Sequence, residues 1–361
     1  MTVRERWQAA TNREDTDRML FWPKLDRAYL YKYGKSYDFG SIEEFHEHIG
    51  SEILHGVPSC LVQKNTQCSV SEHQEGNDKR TDIVTPLGPL SFVYRFDEGS
   101  QAWHPIEFVI KTAKDVERMI CYMNDTEAVV DHEAISAGLE KKERWGDRFF
   151  SWEPVGESPL MNFVEHLAGV ENAHYLLVDN QQLVEEFFDT FHTLLKRKTE
   201  LKAQHSVADM LAFIENTSTT LISPSQYRKY CSRHIQDYAE ICRRHDRKLA
   251  LHMCGHLRDI LPDLSMVGAH VFEAFTSPTV GNTPLAMGRE KCPETCLIGG
   301  TNAALWTRSA DEIIEQLDKD LAELPHHRGL VLSSAGVMPP MCTPDTIKKV
   351  CSWIHDYSVR N

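Results

Sequence analysis

The chain has 361 residues, 41% hydrophobic and 25% charged, enough to bury a full core as one barrel-sized domain or two ordinary ones. Its 53 acidic against 39 basic residues leave a formal charge of −14, which argues against sequence-independent attraction to nucleic acid or to anionic membranes. Ten cysteines without a disulfide-type spacing, an opening at Thr2-Val3-Arg4 with no apolar leader, and apolar runs far short of a membrane span predict a soluble protein of the reducing cytoplasm.

In chain order, Thr2 and Glu5 form a capping-box pattern ahead of Trp7, Ala9 and Ala10. A first strand is predicted at 19–25. The stretch Thr85-Pro86-Leu87-Gly88, followed by 91–94, predicts a turn and a hairpin arm. Further strands are predicted at 149–153, 210–215, 248–254, 270–275, 296–300 and 329–334, most of them followed by a helix-start signal. Ser223-Pro224-Ser225-Gln226 opens one helix with a serine cap, a proline in the first turn and a glutamine three residues after the cap. Ser309 with Glu312 opens another, and Thr343-Pro344 opens the last, with Ile347, Val350, Cys351 and Ile354 facing inward. Strands alternating with helices mean parallel pairing through crossovers, and no glycine-rich dinucleotide fingerprint follows any strand. The pattern therefore predicts an α/β fold, a single (β/α)8 TIM barrel over 1–361, with the less regular first 150 residues as helical and hairpin decorations.

Barrel enzymes carry their chemistry at the C-terminal ends of the strands. Period-two alternation through 248–254 puts His252 and Cys254 on one face, and an imidazole beside a thiolate suits Zn²⁺ better than a hard cation. Plain packing of a buried histidine and cysteine is the competing explanation. Glu273 lies inside an apolar run, where a carboxylate needs a metal or an ion pair as partner. Cys342 precedes the cap of the final helix, whose N-terminus favours a thiolate, although a packed free cysteine accounts for it equally. Glu153 and Glu215 each end a strand and are candidates for proton transfer or substrate orientation, with salt bridges as the alternative. Trp22, Trp103, His104, Trp152 and Phe163 are candidates for aromatic walls around a flat substrate.

Four stretches together resemble the uroporphyrinogen decarboxylase superfamily: Arg4-Glu5-Arg6 with Ala9-Ala10 and Asp17-Arg18; Phe213-Ile214-Glu215-Asn216 with Leu221-Ile222-Ser223-Pro224 and Tyr227; Leu251 to Leu257 with Leu261 to Leu264; and Gly336 to Pro344. Within it, His252-Met253-Cys254-Gly255 resembles the zinc site of the cobamide-dependent methyltransferases, which hold Zn²⁺ with a histidine, a nearby cysteine and a second cysteine after the last strand. That second position falls nearest Ala335 or Gly336, six or seven residues before Cys342. The resemblance therefore leaves two ways to complete the site: Cys342 folding back, or Glu273 serving as in the barrel of cobalamin-independent methionine synthase. Glu273 is the favoured third ligand, with Cys342 as fourth.

The arginine-bearing segment with which the decarboxylases grip carboxylates has no counterpart in Phe21 to Arg27. Trp22-Pro23, Thr85 to Gly88 and Trp103 to Glu107 instead look like the branch that demethylates methoxylated compounds. The resemblance implies a zinc-dependent methyltransferase, an O-demethylase component, that takes a methyl group from a small methoxylated, aromatic substrate to the cobalt of a corrinoid (cobalamin) carried by a partner protein. A homodimer is compatible with it. The alternatives are a methylcobamide:thiol methyltransferase of the coenzyme M type, a decarboxylase-like enzyme and an inactive corrinoid-binding protein.

Overall fold

A computed structural model describes residues 1–360. The described residues form fourteen strands: β1 (Leu20–Trp22), β2 (Leu54–Gly56), β3 (Leu61–Lys64), β4 (Ser69–Glu75), β5 (Asp78–Thr85), β6 (Gly88–Asp97), β7 (Ala102–Glu107), β8 (Glu127–Val130), β9 (Phe150–Gly156), β10 (Met210–Ile214), β11 (Lys248–His252), β12 (Val271–Phe275), β13 (Cys296–Gly300) and β14 (Leu330–Ser333). Eight of them form one parallel sheet in the order β1-β14-β13-β12-β11-β10-β9-β2. Helices connect successive strands, which is the (β/α)8 arrangement.

The sheet closes on itself through a single residue rather than a ladder. Glu52, just before β2, donates its backbone N–H to the Phe21 carbonyl at 3.0 Å, and its carboxylate accepts the Phe21 N–H at 3.0 Å. That carboxylate is fully buried, with the Arg6 and Arg18 guanidinium groups at 3.1 and 2.9 Å. Two cations thus compensate the desolvation of the group that joins the first barrel strand to the second.

Strand alternation divides the core in two. Inward residues such as Leu20, Met210, Ala212, Ala250, Val271 and Val331 fill the barrel, while Leu211, Phe213, Leu249 and Phe272 face out against the helices. At the N-terminal end the helix Val3–Asn12, held by the predicted Thr2–Glu5 capping box, drives Trp7 into the barrel floor. Its ring stacks on Phe150 with centroids 5.6 Å apart.

Seven of the barrel strands lie where the sequence predicts them. The eighth, β2, was not predicted, because three residues reading Leu-His-Gly carry no apolar period. The predicted strand 248–254 ends at His252, so Cys254 sits in the following loop and alternation does not place it. Between β2 and β9, β3 pairs with β8, and β4 to β7 form an antiparallel sheet that contains the predicted hairpin turn at 85–88. All three predicted helix caps are present at Ser223, Ser309 and Thr343, the first helix widening into a π turn at Arg228–Ser232 before continuing as Arg233–Arg244. No helix among the described residues is long and apolar enough to cross a membrane.

Trp7 plugs the barrel with a large ring and no room to relax, so Trp7→Ala should lose on the order of 3–5 kcal/mol of unfolding free energy in urea titrations. An unchanged midpoint would contradict its role as the floor.

Candidate functional site

The register β10–β11–β12 puts Ile214, His252 and Glu273 side by side on the inward face at the C-terminal end of the barrel. The His252 Nδ1–H is hydrogen-bonded to Glu273 Oε2. Lys24, two residues beyond β1, brings its ammonium to 3.3 Å from both Glu273 oxygens and 3.2 Å from His252 Nδ1. The Lys24 backbone is pinned by the segment after the neighbouring strand β14: its N–H donates to Ser334 Oγ at 3.1 Å, and its carbonyl accepts from Met338 N at 2.8 Å. Burial alone would raise Glu273 and lower His252. The opposite charges win, holding Glu273 below the usual carboxylate range and His252 above the usual imidazole range.

Cys254, in the loop after β11, directs its Sγ to Asn216 Oδ1 at 3.6 Å. The loop after β11 runs so close to the loop after β10 that a Cβ on Gly255 would stand 2.2 Å from the Ser218 side chain, so only glycine fits there. Asn216, itself in the left-handed region at φ 44°, donates from Nδ2 to Glu165 Oε2 at 2.9 Å. Glu165 and His166 stand on a π turn, Phe163–Leu167, and His166 Nε2 is 3.0 Å from Glu157 Oε1. Burial, then the neighbouring Glu157 charge, pushes Glu165 up to about 7, and the bond to Glu157 raises His166. A cavity of about 590 Å³ opens over these groups, lined by Glu165, His166, Asn216 and Cys254 and walled by Pro105 and Phe108 from the end of the β4–β7 sheet.

The predicted site residues fare differently. His252, Glu273 and Cys254 come to the same end of the barrel. Their donor atoms do not close into one set, however: among the described residues, the group of three within 4.8 Å of one another is Glu157, Glu165 and His166. Cys342 does not reach the mouth. It packs in the outer core, its carbonyl accepts from Tyr29 Oη at 3.0 Å, and burial pushes its thiol up to about 12, so the helix N-terminus does not make it a thiolate.

Glu153 and Glu215 are corrected as well. Glu153 is on the outward face of β9, and Glu215 follows directly after β10. Glu153 is ion-paired with Lys202 behind the barrel wall and accepts from Ser206 Oγ at 2.5 Å and Cys60 N at 2.9 Å. Glu215 accepts from Ser158 N at 2.7 Å and Ser158 Oγ at 2.5 Å, and full burial pushes it up to about 8. Neither lines the cavity. Of the predicted aromatic walls, Trp103 faces Phe96, His104 bonds Ser100, and Phe163 packs against Phe187 and Phe188. Trp22 and Trp152 meet edge to face inside the barrel at 6.1 Å. Lys24, Glu157, Glu165, His166 and Asn216 were missed. Lys24 falls inside the strand predicted at 19–25, and its place just past β1 emerges only because the strand stops at Trp22.

A parallel eight-stranded barrel with a charged cluster and a His–Cys pair at its C-terminal mouth is a frame for barrel-type enzyme chemistry. Residues 158–357 match the family model described as uroporphyrinogen decarboxylase (URO-D), and the chain belongs to that family. A methyltransferase from Methanosarcina mazei is similar in structure, with a TM-score of 0.62 at 15% identity over 99% of this chain and 98% of that one. A Listeria monocytogenes protein named as a vitamin-B12 independent methionine synthase aligns with a TM-score of 0.42 at 10% identity, over 94% and 96%. No curated protein matches the chain.

His252 and Cys254 fit as zinc ligands by donor type, a borderline imidazole and a soft sulfur two residues apart, with Cys254 at the rim of the cavity. Glu273 fits as the carboxylate that orients the imidazole through Nδ1. Cys342 does not fit.

Glu215 generates a pH prediction. Its folded-state value, about 8, lies above its ordinary value of 4.5. The stability it contributes is therefore fully present below pH 4.5 and is lost as pH rises toward 8, at up to about 1.4 kcal/mol per pH unit. Glu215→Gln should flatten the fall in unfolding free energy between pH 5 and 8, measured by urea titration. An unchanged slope would contradict the burial-driven shift.

Proposed function

We propose that this chain is a zinc-dependent methyltransferase that moves a methyl group from a small methoxylated, aromatic compound to the cobalt of a corrinoid carried by a separate protein. The carrying observation is the placement of His252 and Cys254 two residues apart at the C-terminal end of β11, Cys254 lining the 590 Å³ cavity and His252 bonded to Glu273 next to Lys24. No arginine is among the residues lining that cavity, which disfavours the carboxylate grip of a tetrapyrrole decarboxylase.

Zinc held by His252 and Cys254 would supply a Lewis acid for the ether oxygen, since a phenoxide is otherwise a poor leaving group. The chain's own residues do the rest. Glu273 accepts the Nδ1–H and fixes the imidazole. Lys24 balances the buried Glu273 charge and keeps positive potential where negative charge gathers on the leaving oxygen. Pro105 and Phe108 offer an apolar wall for an aromatic ring and exclude water from one side. In the transfer, the methyl C–O bond breaks with its electron pair going to the aryl oxygen, and the methyl carbon takes the electron pair of the reduced cobalt on the partner. A thiol acceptor of the coenzyme M type is the weaker reading, because with Cys342 in the outer core a single thiolate remains to make a bound sulfur nucleophilic.

Incubated with zinc, methoxybenzenes and cob(I)alamin, the protein should form methyl-cobalamin, followed by its visible spectrum. Cys254→Ser and His252→Ala should lower zinc content and abolish turnover, while Cys342→Ser should leave both unchanged. Full zinc content in the first two variants, or loss of it in the third, would overturn the assignment.

A further inference from the structure

We propose that Glu157, Glu165 and His166 form a second divalent-cation site, separate from the His252–Cys254 pair and suited to a harder ion such as Mn²⁺. The three residues arrive from two directions: Glu157 follows β9 directly, while Glu165 and His166 project from the π turn Phe163–Leu167. Each supplies one donor atom, and the three atoms lie within 4.8 Å of one another. His166 Nε2 stands 3.0 Å from Glu157 Oε1 and 4.0 Å from Glu165 Oε2.

The supporting bonds are those of a metal site. Asn162 Nδ2 donates to Glu157 Oε2 at 2.9 Å, and Asn216 Nδ2 donates to Glu165 Oε2 at 2.9 Å, so each carboxylate is oriented through one oxygen. The other Glu165 oxygen, Oε1, is buried and bonded to nothing. An ion pair between His166 and Glu157, with Glu165 protonated, does not account for that atom. A protonated carboxyl carries an O–H that still needs an acceptor, and a buried polar atom without one costs about 1–3 kcal/mol. A cation held by the three groups would take up the negative charge of Glu165, whose Oε2 faces His166 at 4.0 Å, and screen the two carboxylates from each other.

Two carboxylates and an imidazole make a harder donor set than His252 with Cys254, favouring Mn²⁺ or Fe²⁺ over thiophilic ions. Glu165 and His166 also line the cavity, which leaves room for water or a substrate oxygen on the exposed side of the ion.

The test is titration of metal-free protein with Mn²⁺ alone, followed by loss of the free-ion EPR signal, together with pulsed EPR of the bound ion. One Mn²⁺ per chain should bind with coupling to a single histidine nitrogen. Glu165→Gln and His166→Gln should each weaken binding about tenfold or more, the second also removing the nitrogen coupling, with circular dichroism confirming that both fold. Cys254→Ser should bind Mn²⁺ as the wild type does. If either of the first two variants is unfolded, the nitrogen coupling and its retention in Cys254→Ser decide the matter. Absence of binding in the wild type at millimolar Mn²⁺, bound ion without nitrogen coupling, wild-type affinity in folded Glu165→Gln and His166→Gln, or loss of binding in Cys254→Ser would each overturn the site. Because that readout does not involve zinc or methyl transfer, the two assignments fail separately.

Discussion

A carboxylate with no exposed surface, Glu273, sits at the inward end of a barrel strand with an imidazole on one side and an ammonium on the other. Alone at that depth, it would be protonated or would destabilise the strand. Paired with His252 and Lys24 it stays ionised, and its charge dictates the state of its neighbours. The His252 Nδ1–H is committed to it, so a bound ion would take the place of the proton on the other ring nitrogen. Lys24 is held there because its backbone is tied to Ser334 and Met338 across the seam between the first and last strands. The barrel therefore fixes the charge cluster from both sides, and the cluster fixes the histidine beside Cys254.

The cavity above it is made by parts of the chain that are not barrel. Pro105 and Phe108 come from the end of the antiparallel insert, and Glu165 and His166 from a π turn beyond β9. A π turn adds a residue to a helical turn and re-aims its side chains, which is why such turns gather at functional positions. Asn216 joins the two regions by bonding Glu165 with one end of its amide and facing the Cys254 sulfur with the other.

Much of the fold was legible because it rests on local signals. Capping boxes at Ser223 and Ser309 and the short apolar runs between helices encode the alternation, and alternation encodes a parallel barrel. What period two does not reveal is which face of a strand points inward when both are apolar. Leu211 and Phe213 share one face of β10, and Met210, Ala212 and Ile214 the other; Leu211 and Phe213 turned outward to the helices, and Glu215, one residue past the strand, reaches Ser158 rather than the barrel mouth. On β9 the large rings of Phe150 and Trp152 turned inward instead, leaving Glu153 on the outward face with Ser151 and Val155. The reading of 248–254 as one strand failed at its end, where Gly255 packs onto Ser218 and forces the chain out of the sheet. Cys342 looked like a ligand because it precedes a helix, but a long-range bond from Tyr29 to its carbonyl settles its position, and no local signal encodes that. His252 and Glu273 were legible for a physical reason: ionisable groups inside apolar strands must meet a partner.

The central claim is that the Glu273–Lys24 pair presents His252 to an ion shared with Cys254. Diffraction from zinc-loaded crystals at the zinc absorption edge tests it most directly. The account predicts an anomalous peak at roughly 2.0–2.1 Å from a His252 ring nitrogen and about 2.3 Å from Cys254 Sγ, with Glu273 still bonded to Nδ1. A map with no peak between those two side chains, and Cys254 still turned to Asn216, would contradict it.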